Sequence, residues 1–168
     1  MRRSLRILQA ATLLAATVVL VPAAASGTRV DAADACALVT RSEAIAVIGS
    51  SEASLAEPLV VRPGTCNWHS TDSGCTLRVL SVEVTRGSAA RHLAAVRAEA
   101  DAWSGAPGIG DDGFYTADAL PAGSAVFIEH LHLRRGDTMA VLTLLGRIGP
   151  DASHDLLARV GTAVASRL

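Results

Sequence analysis

The chain has 168 residues and a formal net charge of −1, from 15 basic and 16 acidic side chains. It contains no lysine, so arginine supplies all of the positive side-chain charge. The arginines form no basic patch of the kind that binds nucleic acids, which excludes that class of partner. The length suits a single domain with a buried core.

The amino-terminal residues have the pattern of a secretory signal peptide. Three arginines within the first six residues precede an apolar run over residues 7–21, and small residues follow Pro22. A basic start, a short apolar stretch and an Ala-x-Ala exit predict a leader, residues 1–25, that is cleaved after Ala25. An uncleaved membrane anchor is the alternative, although Gln9, Pro22 and many alanines weaken it. The export route stays open.

A lipid anchor would need a cysteine directly after the apolar run. The first cysteine is Cys36, which follows Asp34 and Ala35 at some distance from that run. We therefore expect a secreted, extracytoplasmic protein with no stable membrane anchor after cleavage.

The first half of the remaining chain predicts one helix and three strands. Thr40 and Glu43 match a capping box, in which both side chains bind free backbone N–H groups. The helix continues to about Ile48, and Gly49 supplies a left-handed stop. The strands are expected at residues 58–61, 65–69 and 75–85, and the last two form a hairpin centred between Ser70 and Thr71.

The second half predicts a long helix, three strands and a closing helix. The long helix runs from Ser88 to Trp103, and its buried stripe is Ala89, Leu93, Val96, Ala100 and Trp103. A strand begins at residues 114–116, and a hairpin then joins residues 124–134 to 138–146 about Gly136 and Asp137, a type II′ turn candidate. One face of this hairpin is apolar apart from Glu129, its other members being Phe127, Leu131, Leu133, Ala140, Leu142 and Leu144. The closing helix starts at Pro150 and is expected to bury Leu156, Val160, Ala163 and Val164.

This order of elements predicts an α+β fold. Short connections between strands favour a mostly antiparallel sheet, with helices packed on one face. The repeated succession of a helix and three strands hints at a duplicated unit. In this interpretation residues 26–35 are a flexible tail and residues 36–168 form a single domain.

Three cysteines allow one internal disulfide in an oxidising compartment. The predicted hairpin would place Cys66 opposite Cys75, close enough to bridge. Cys36–Cys66 is the rival pairing, and its longer loop would constrain the unfolded chain more. Metal ligation is disfavoured because the cysteines include no Cys-x-x-Cys pair.

Two short motifs have structural interpretations. Residues 108–113 spell Gly-x-Gly-x-x-Gly, but a helix precedes them and a strand follows, the reverse of a dinucleotide site, so we expect a turn. Residues 135–137 spell Arg-Gly-Asp, which the hairpin turn explains without a partner.

Structural roles also explain the two tryptophans and the His-x-His pair. His130 and His132 point the same way from one strand, but no third metal ligand is visible. Since Arg134 continues that face, we expect a solvated strand. Trp68 and Trp103 are expected in the core.

A family resemblance is carried by Cys36-Ala37-Leu38-Val39-Thr40, the helix up to Gly49, and Cys66-Asn67-Trp68. These segments resemble a family of actinobacterial exported proteins, many of them lipoproteins, whose domain has no assigned function. Residues 108–112, the Arg-Gly-Asp hairpin and the alanine-rich last helix fit the later part of the pattern. The resemblance implies an α+β exported domain with a Cys36–Cys66 disulfide and Cys75 as an extra thiol. It offers no catalytic residues, and the lipidation cysteine is missing here.

We therefore expect a secreted, non-enzymatic domain that binds a cell-envelope component, a small ligand or a protein partner, without a cofactor. No catalytic, cofactor-binding or metal-binding residues are assigned. The alternative is an extracytoplasmic hydrolase whose site is assembled from distant segments, with His69, Asp72 and Glu129 as candidates.

Overall fold

The computed structural model describes residues 32–71, 78–121 and 123–168. The predicted signal peptide, residues 1–25, lies outside the described residues, as do Asp72 and Cys75. The helices are α1 (Ala32–Ala37), α2 (Arg41–Ile48), α3 (Ala89–Glu99) and α4 (Pro150–Arg167). The strands are β1 (Leu59–Arg62), β2 (Thr65–His69), β3 (Arg78–Arg86), β4 (Ser104–Gly105), β5 (Asp112–Ala117), β6 (Phe127–Arg135) and β7 (Thr138–Gly146). No helix among the described residues is both long and apolar enough to cross a membrane.

The seven strands of the described residues form one antiparallel sheet, in the order β1-β2-β3-β7-β6-β5-β4. Two meanders, β1–β3 and β4–β7, meet where β3 pairs with β7. The α+β class and the antiparallel sheet are therefore confirmed.

The main core lies on one face of this sheet. Cys66 and Trp68 of β2, Tyr115 of β5 and alternate residues of β3, β6 and β7 point into it. The apolar face predicted for the second hairpin is present, and five of its members are completely buried: Leu131, Leu133, Ala140, Leu142 and Leu144. α1, α2 and α4 contribute the other side of this core. In α4, Val160 and Val164 are buried as predicted, but Leu157 is buried in place of Leu156, and Ala163 is only half-buried.

The opposite face of the sheet is covered in part by α3. Ala89 and Leu93 of α3 pack against Phe114 of β5 and Met139 of β7, with Val141 alongside. Helices therefore lie on both faces of the sheet. This is possible because β7 has apolar side chains on both of its faces, with Met139 and Val141 on the side of α3. The sheet order places the two predicted groups of three strands, β1–β3 and β5–β7, side by side. The helices that precede them, α2 and α3, pack on opposite faces of the sheet.

Several local signals produce the structure that they predict. Thr40 caps α2 in a complete capping box with Glu43, and Gly49 ends the helix at φ 69°. The second hairpin has two central residues, Gly136 and Asp137, between the paired residues Arg135 and Thr138. Gly136 has φ 58°, as a type II′ turn requires at its first central position.

The register of β2 and β3 differs from the prediction. Cys66 lies opposite Val82 and Trp68 lies opposite Leu80, whereas the predicted hairpin placed Cys66 opposite Cys75. The observed register sets apolar side chains opposite one another on the buried face, and burial of that face determines register.

Two helix boundaries also differ from the prediction. α1 begins at Ala32 and buries Ala35 completely, so part of the expected tail is helical. α3 ends at Glu99, because Ser104 pairs with Tyr115 in β4–β5 and the chain must already be extended there.

A disulfide joins Cys36 at the end of α1 to Cys66 of β2, with 5.1 Å between the Cα atoms. This is the pairing that the family resemblance implies. Cys66 is completely buried, so the bond ties α1 directly to the core.

The glycine-rich segment forms turns before β5, and its glycines allow close packing. A Cβ on Gly110 would lie 2.5 Å from the carbonyl oxygen of Arg134, and the residue has φ 70°. Ile109 is buried in the main core, where a Cβ on Gly161 of α4 would meet it at 3.5 Å. The glycine-rich segment therefore packs between the sheet and α4.

Candidate functional site

His130 and His132 lie on the face of the sheet that α3 covers only in part. They alternate with the core residues Leu131 and Leu133 along β6. In the neighbouring strand Thr116 pairs with His130 and Phe114 pairs with His132. The two imidazole rings are 5.9 Å apart, centroid to centroid.

His132 is buried, with only 8% of the residue exposed. Its ring stacks on Phe114 with 4.8 Å between centroids, and its Nε2 is hydrogen-bonded to Thr116 Oγ1 at 3.0 Å. Burial, with a smaller contribution from His130, lowers the pKa of His132 to about 4, so its imidazole is neutral at neutral pH. Its Nδ1 is also buried and has no hydrogen-bond partner among the described residues. The expectation of a solvated strand is wrong at this position, because α3 and Phe114 cover it.

His130 is held by two hydrogen bonds in a fixed orientation. Its Nε2 lies 3.2 Å from Asp118 Oδ1, and its Nδ1 lies 2.8 Å from Thr143 Oγ1. Because a carboxylate only accepts, Nε2 carries the hydrogen when the imidazole is neutral, and Nδ1 then accepts from the threonine hydroxyl. The ring is therefore oriented before any ligand arrives.

A cleft of about 590 Å³ opens between these histidines and the carboxyl end of α3. Thr116 and Asp118 line it on the sheet side, and Glu99 and Asp101 line it on the helix side. The described lining contains three carboxylates, two imidazoles and no arginine. The negative end of the α3 macrodipole points toward the same region, so the cleft favours positive charge or hydrogen-bond donors.

The lining was only partly visible in the sequence. The sequence pattern indicates the two histidines but not Thr116 or Asp118. Thr116 lies in β5 and Asp118 lies two residues further on, so a period-two pattern paired with His-x-His could have indicated them. The contribution of α3 depends on tertiary packing and had no local signal.

No three His, Cys, Asp or Glu side chains in the described part of the chain form a group that could hold a metal ion. His130 and His132 instead use ring nitrogens for Asp118, Thr143 and Thr116.

The buried Glu129 anchors the start of α4. Its Oε2 accepts a hydrogen bond from Ser153 Oγ at 2.6 Å, and its Oε1 lies 3.2 Å from His154 Nδ1. The His154 ring lies against Tyr115, with centroids 3.8 Å apart. Burial, together with the nearby negative charges of Glu129 and Asp155, raises the pKa of Tyr115 to about 12. The docking of α4 thus explains why a carboxylate, that of Glu129, lies on the otherwise apolar face of the sheet.

The residues considered for a hydrolase are not brought together. His69 belongs to the row His69–Val79–Leu145–Ile128, whereas Glu129 belongs to the next row and points to the other face of the sheet. Three strand spacings separate them, which is about 14 Å. Asp72 lies outside the described residues.

The Arg-Gly-Asp turn is occupied by contacts within the molecule. Asp137 Oδ1 accepts a hydrogen bond from the Ala89 backbone at 3.2 Å and so caps α3. The Gly136 backbone N–H donates to Asp111 Oδ2 at 2.7 Å. Arg135 donates to the Ala165 carbonyl of α4. These contacts support the structural interpretation of the motif.

The two tryptophans have different environments. Trp68 is 5% exposed and belongs to the main core, as expected. Trp103 is 52% exposed, so the expectation of a core position is wrong for it. It follows the end of α3 rather than lying on its buried stripe.

No family model matches the chain, and no curated protein matches it in sequence. Among solved structures, the chain is similar to the extracellular domain of PknH from Mycobacterium tuberculosis. The two share 13% sequence identity with a TM-score of 0.53, over 83% of this chain and 99% of that domain. The similarity shows that the chain has the same fold as an extracellular domain from an actinobacterium.

Proposed function

We propose that the protein is an exported, non-enzymatic domain that binds a small polar ligand in the cleft lined by His130 and His132. The proposal is carried by one observation: a cleft of about 590 Å³ whose polar groups are already oriented by bonds to Asp118, Thr116 and Thr143. Clefts of this size with a few placed polar groups are typical of small-molecule sites. Orientation of those groups before binding reduces the entropy lost on complex formation.

The charge of the cleft selects the ligand class. Glu99, Asp101 and Asp118 supply carboxylates, and no arginine is present among the described lining residues. A ligand with an amino group or several hydrogen-bond donors therefore fits better than an anion.

Export is part of the proposal. The leader pattern of residues 1–25 and the similarity to an extracellular domain both support it. So does the resemblance to actinobacterial exported proteins, and the ligand or partner would accordingly come from the cell envelope. Protein recovered outside the cell should begin at Ser26 by amino-terminal sequencing. Full-length chain found in the cytosol with all thiols reduced would contradict export.

Ligand binding can be tested by a thermal-shift screen of the exported protein. The probes are putrescine, spermidine, arginine, glucosamine, glucose, citrate and phosphate. We expect stabilisation by the amines and none by the two anions, and the variants Glu99→Gln and Asp118→Asn should each weaken the effect severalfold. Asp151→Asn, on the exposed first turn of α4, is the matched control and should bind as the wild type does. Stabilisation by citrate or phosphate alone, or by no probe, would contradict the proposal.

A further inference from the structure

Trp103 is an exposed aromatic side chain held in a fixed position. Its ring meets Phe114 edge-on, with 6.0 Å between centroids and an interplanar angle of 69°. The Arg97 guanidinium lies 5.0 Å from the Trp103 centroid and 4.6 Å from that of Phe114. Arg97 is itself held by Asp112 at 2.7 Å. The indole therefore needs little ordering when a ligand binds, although half of its surface is exposed.

A second cleft of about 330 Å³ lies beside this indole. It is lined by Trp103, Arg97 and the glycine-rich residues 105–113, and it shares no lining residue with the histidine cleft. Its volume is at the small end of the range of about 300–1,000 Å³ found for ligand sites, which suits a single ring or a short chain of rings.

The charges of the second cleft are balanced internally. Asp112 pairs with Arg97 through Oδ1, and Asp111 pairs with Arg134 at 3.4 Å through Oδ2. Asp111 Oδ2 also accepts from the Gly136 backbone. Within the described structure, Asp111 Oδ1 and Asp112 Oδ2 take part in no hydrogen bond or ion pair. The cleft is thus electrically neutral but keeps hydrogen-bond acceptors.

We infer that this cleft binds an uncharged sugar ring, stacked on Trp103 and donating hydroxyl hydrogen bonds to Asp111 and Asp112. An aromatic face beside carboxylate acceptors matches the two surfaces of a pyranose or furanose, whose C–H face is apolar and whose rim carries hydroxyl groups. A proline-rich peptide also docks on aromatic rings, but its carbonyl groups are acceptors and would need donors. Arg97, the main donor here, is engaged with Asp112 and with the two rings.

Fluorescence of the exported protein tests this inference. Trp68 is buried, so iodide should quench mainly Trp103. The probes are maltotriose, mannotriose, arabinotriose and chitotriose, each titrated to tens of millimolar. At least one should protect Trp103 from iodide and shift its emission to shorter wavelength.

Three variants test whether Trp103 itself binds the sugar. Binding of the active trisaccharide, measured by saturation-transfer NMR, should weaken at least tenfold in Trp103→Ala and severalfold in Trp103→Phe. It should be unchanged in Leu59→Ala, which removes another exposed apolar side chain from the far edge of the sheet. Circular dichroism of Trp103→Ala checks that the exposed substitution leaves the fold intact. Absence of binding by all four sugars, protection only by a proline-rich peptide, or full binding by Trp103→Ala would overturn the inference. Because the readout is Trp103, this result is independent of the amine screen on the histidine cleft.

Discussion

Glu129 shows how one side chain can connect two elements. It lies in the buried row Trp68–Leu80–Leu144–Glu129 of the sheet. At the start of α4 it accepts a hydrogen bond from Ser153, and His154 lies within hydrogen-bond distance of its other oxygen. A carboxylate there is satisfied by these partners, so its burial is tolerated. The sequence pattern identified Glu129 as discordant but could not name its partners, because they are 24 and 25 residues away on another element.

Removing the Glu129 side chain should destabilise the protein. In Glu129→Ala, Ser153 keeps only its bond to the Pro150 carbonyl, His154 loses a partner and a cavity opens. We expect a loss of about 2–3 kcal/mol in the free energy of unfolding in urea. Glu129→Gln keeps an acceptor for Ser153 and should lose about 1 kcal/mol. A Glu129→Ala loss no larger than that of exposed Glu99→Ala would show that Glu129 does not anchor α4.

The glycine-rich segment allows backbone strain to be separated from steric clash. Gly108 and Gly110 both have left-handed φ angles, of 80° and 70°, but a Cβ on Gly108 meets nothing within 4 Å. Gly108→Ala should therefore lower the free energy of unfolding by about 1–2 kcal/mol. Gly110→Ala adds the clash with the Arg134 carbonyl and should lose about 2 kcal/mol more. Equal losses in urea denaturation would contradict the close approach.

At the scale of elements, α4 is fastened at its end as well as at its start. Arg167 donates to both carboxylate oxygens of Glu43 and to the Leu38 carbonyl, so it joins α4 to α2 and to the residue that follows α1. The bond to Arg167, reinforced by the capping bonds of Thr40, lowers the pKa of Glu43 to about 2, although partial burial opposes the shift. The capping box was readable from four adjacent residues, but the arginine 124 positions away was not.

This contact predicts a specific acid sensitivity. Glu43 ionises near 4.5 in the unfolded chain and near 2 in the folded one, so its contribution is complete above pH 4.5 and is lost as the pH falls toward 2. Because Glu43 is partly exposed, solvent screening reduces its contribution to the free energy of unfolding to about 2 kcal/mol. Urea unfolding from pH 5 to pH 2 should show this extra loss in the wild type relative to Glu43→Gln. The comparison cancels the separate destabilisation by His132, which runs from about pH 6.5 to 4 in both proteins. Parallel curves for the two proteins would contradict the low pKa.

For the whole molecule, local signals predicted local structure well. The α2 caps, the Gly136–Asp137 turn and the apolar face of the second hairpin follow from adjacent residues or from period-two alternation. The β2–β3 register and the end of α3 were missed. The former is determined by burial across strands and the latter by pairing of Ser104 with Tyr115. The α3 side of the histidine cleft was missed for the same reason, since α3 meets the sheet only in the tertiary structure.

The central claim is that the cleft lined by His130 and His132 binds a donor-bearing small ligand. Its most direct test is to follow the imidazole C–H NMR signals of both histidines in the exported protein during titration with spermidine. We predict saturable shifts of both signals at neutral pH, which require a severalfold higher spermidine concentration in Asp118→Asn, with His132 remaining neutral until about pH 4. The claim would be contradicted if both histidine signals stayed unmoved at saturating spermidine while signals elsewhere shifted.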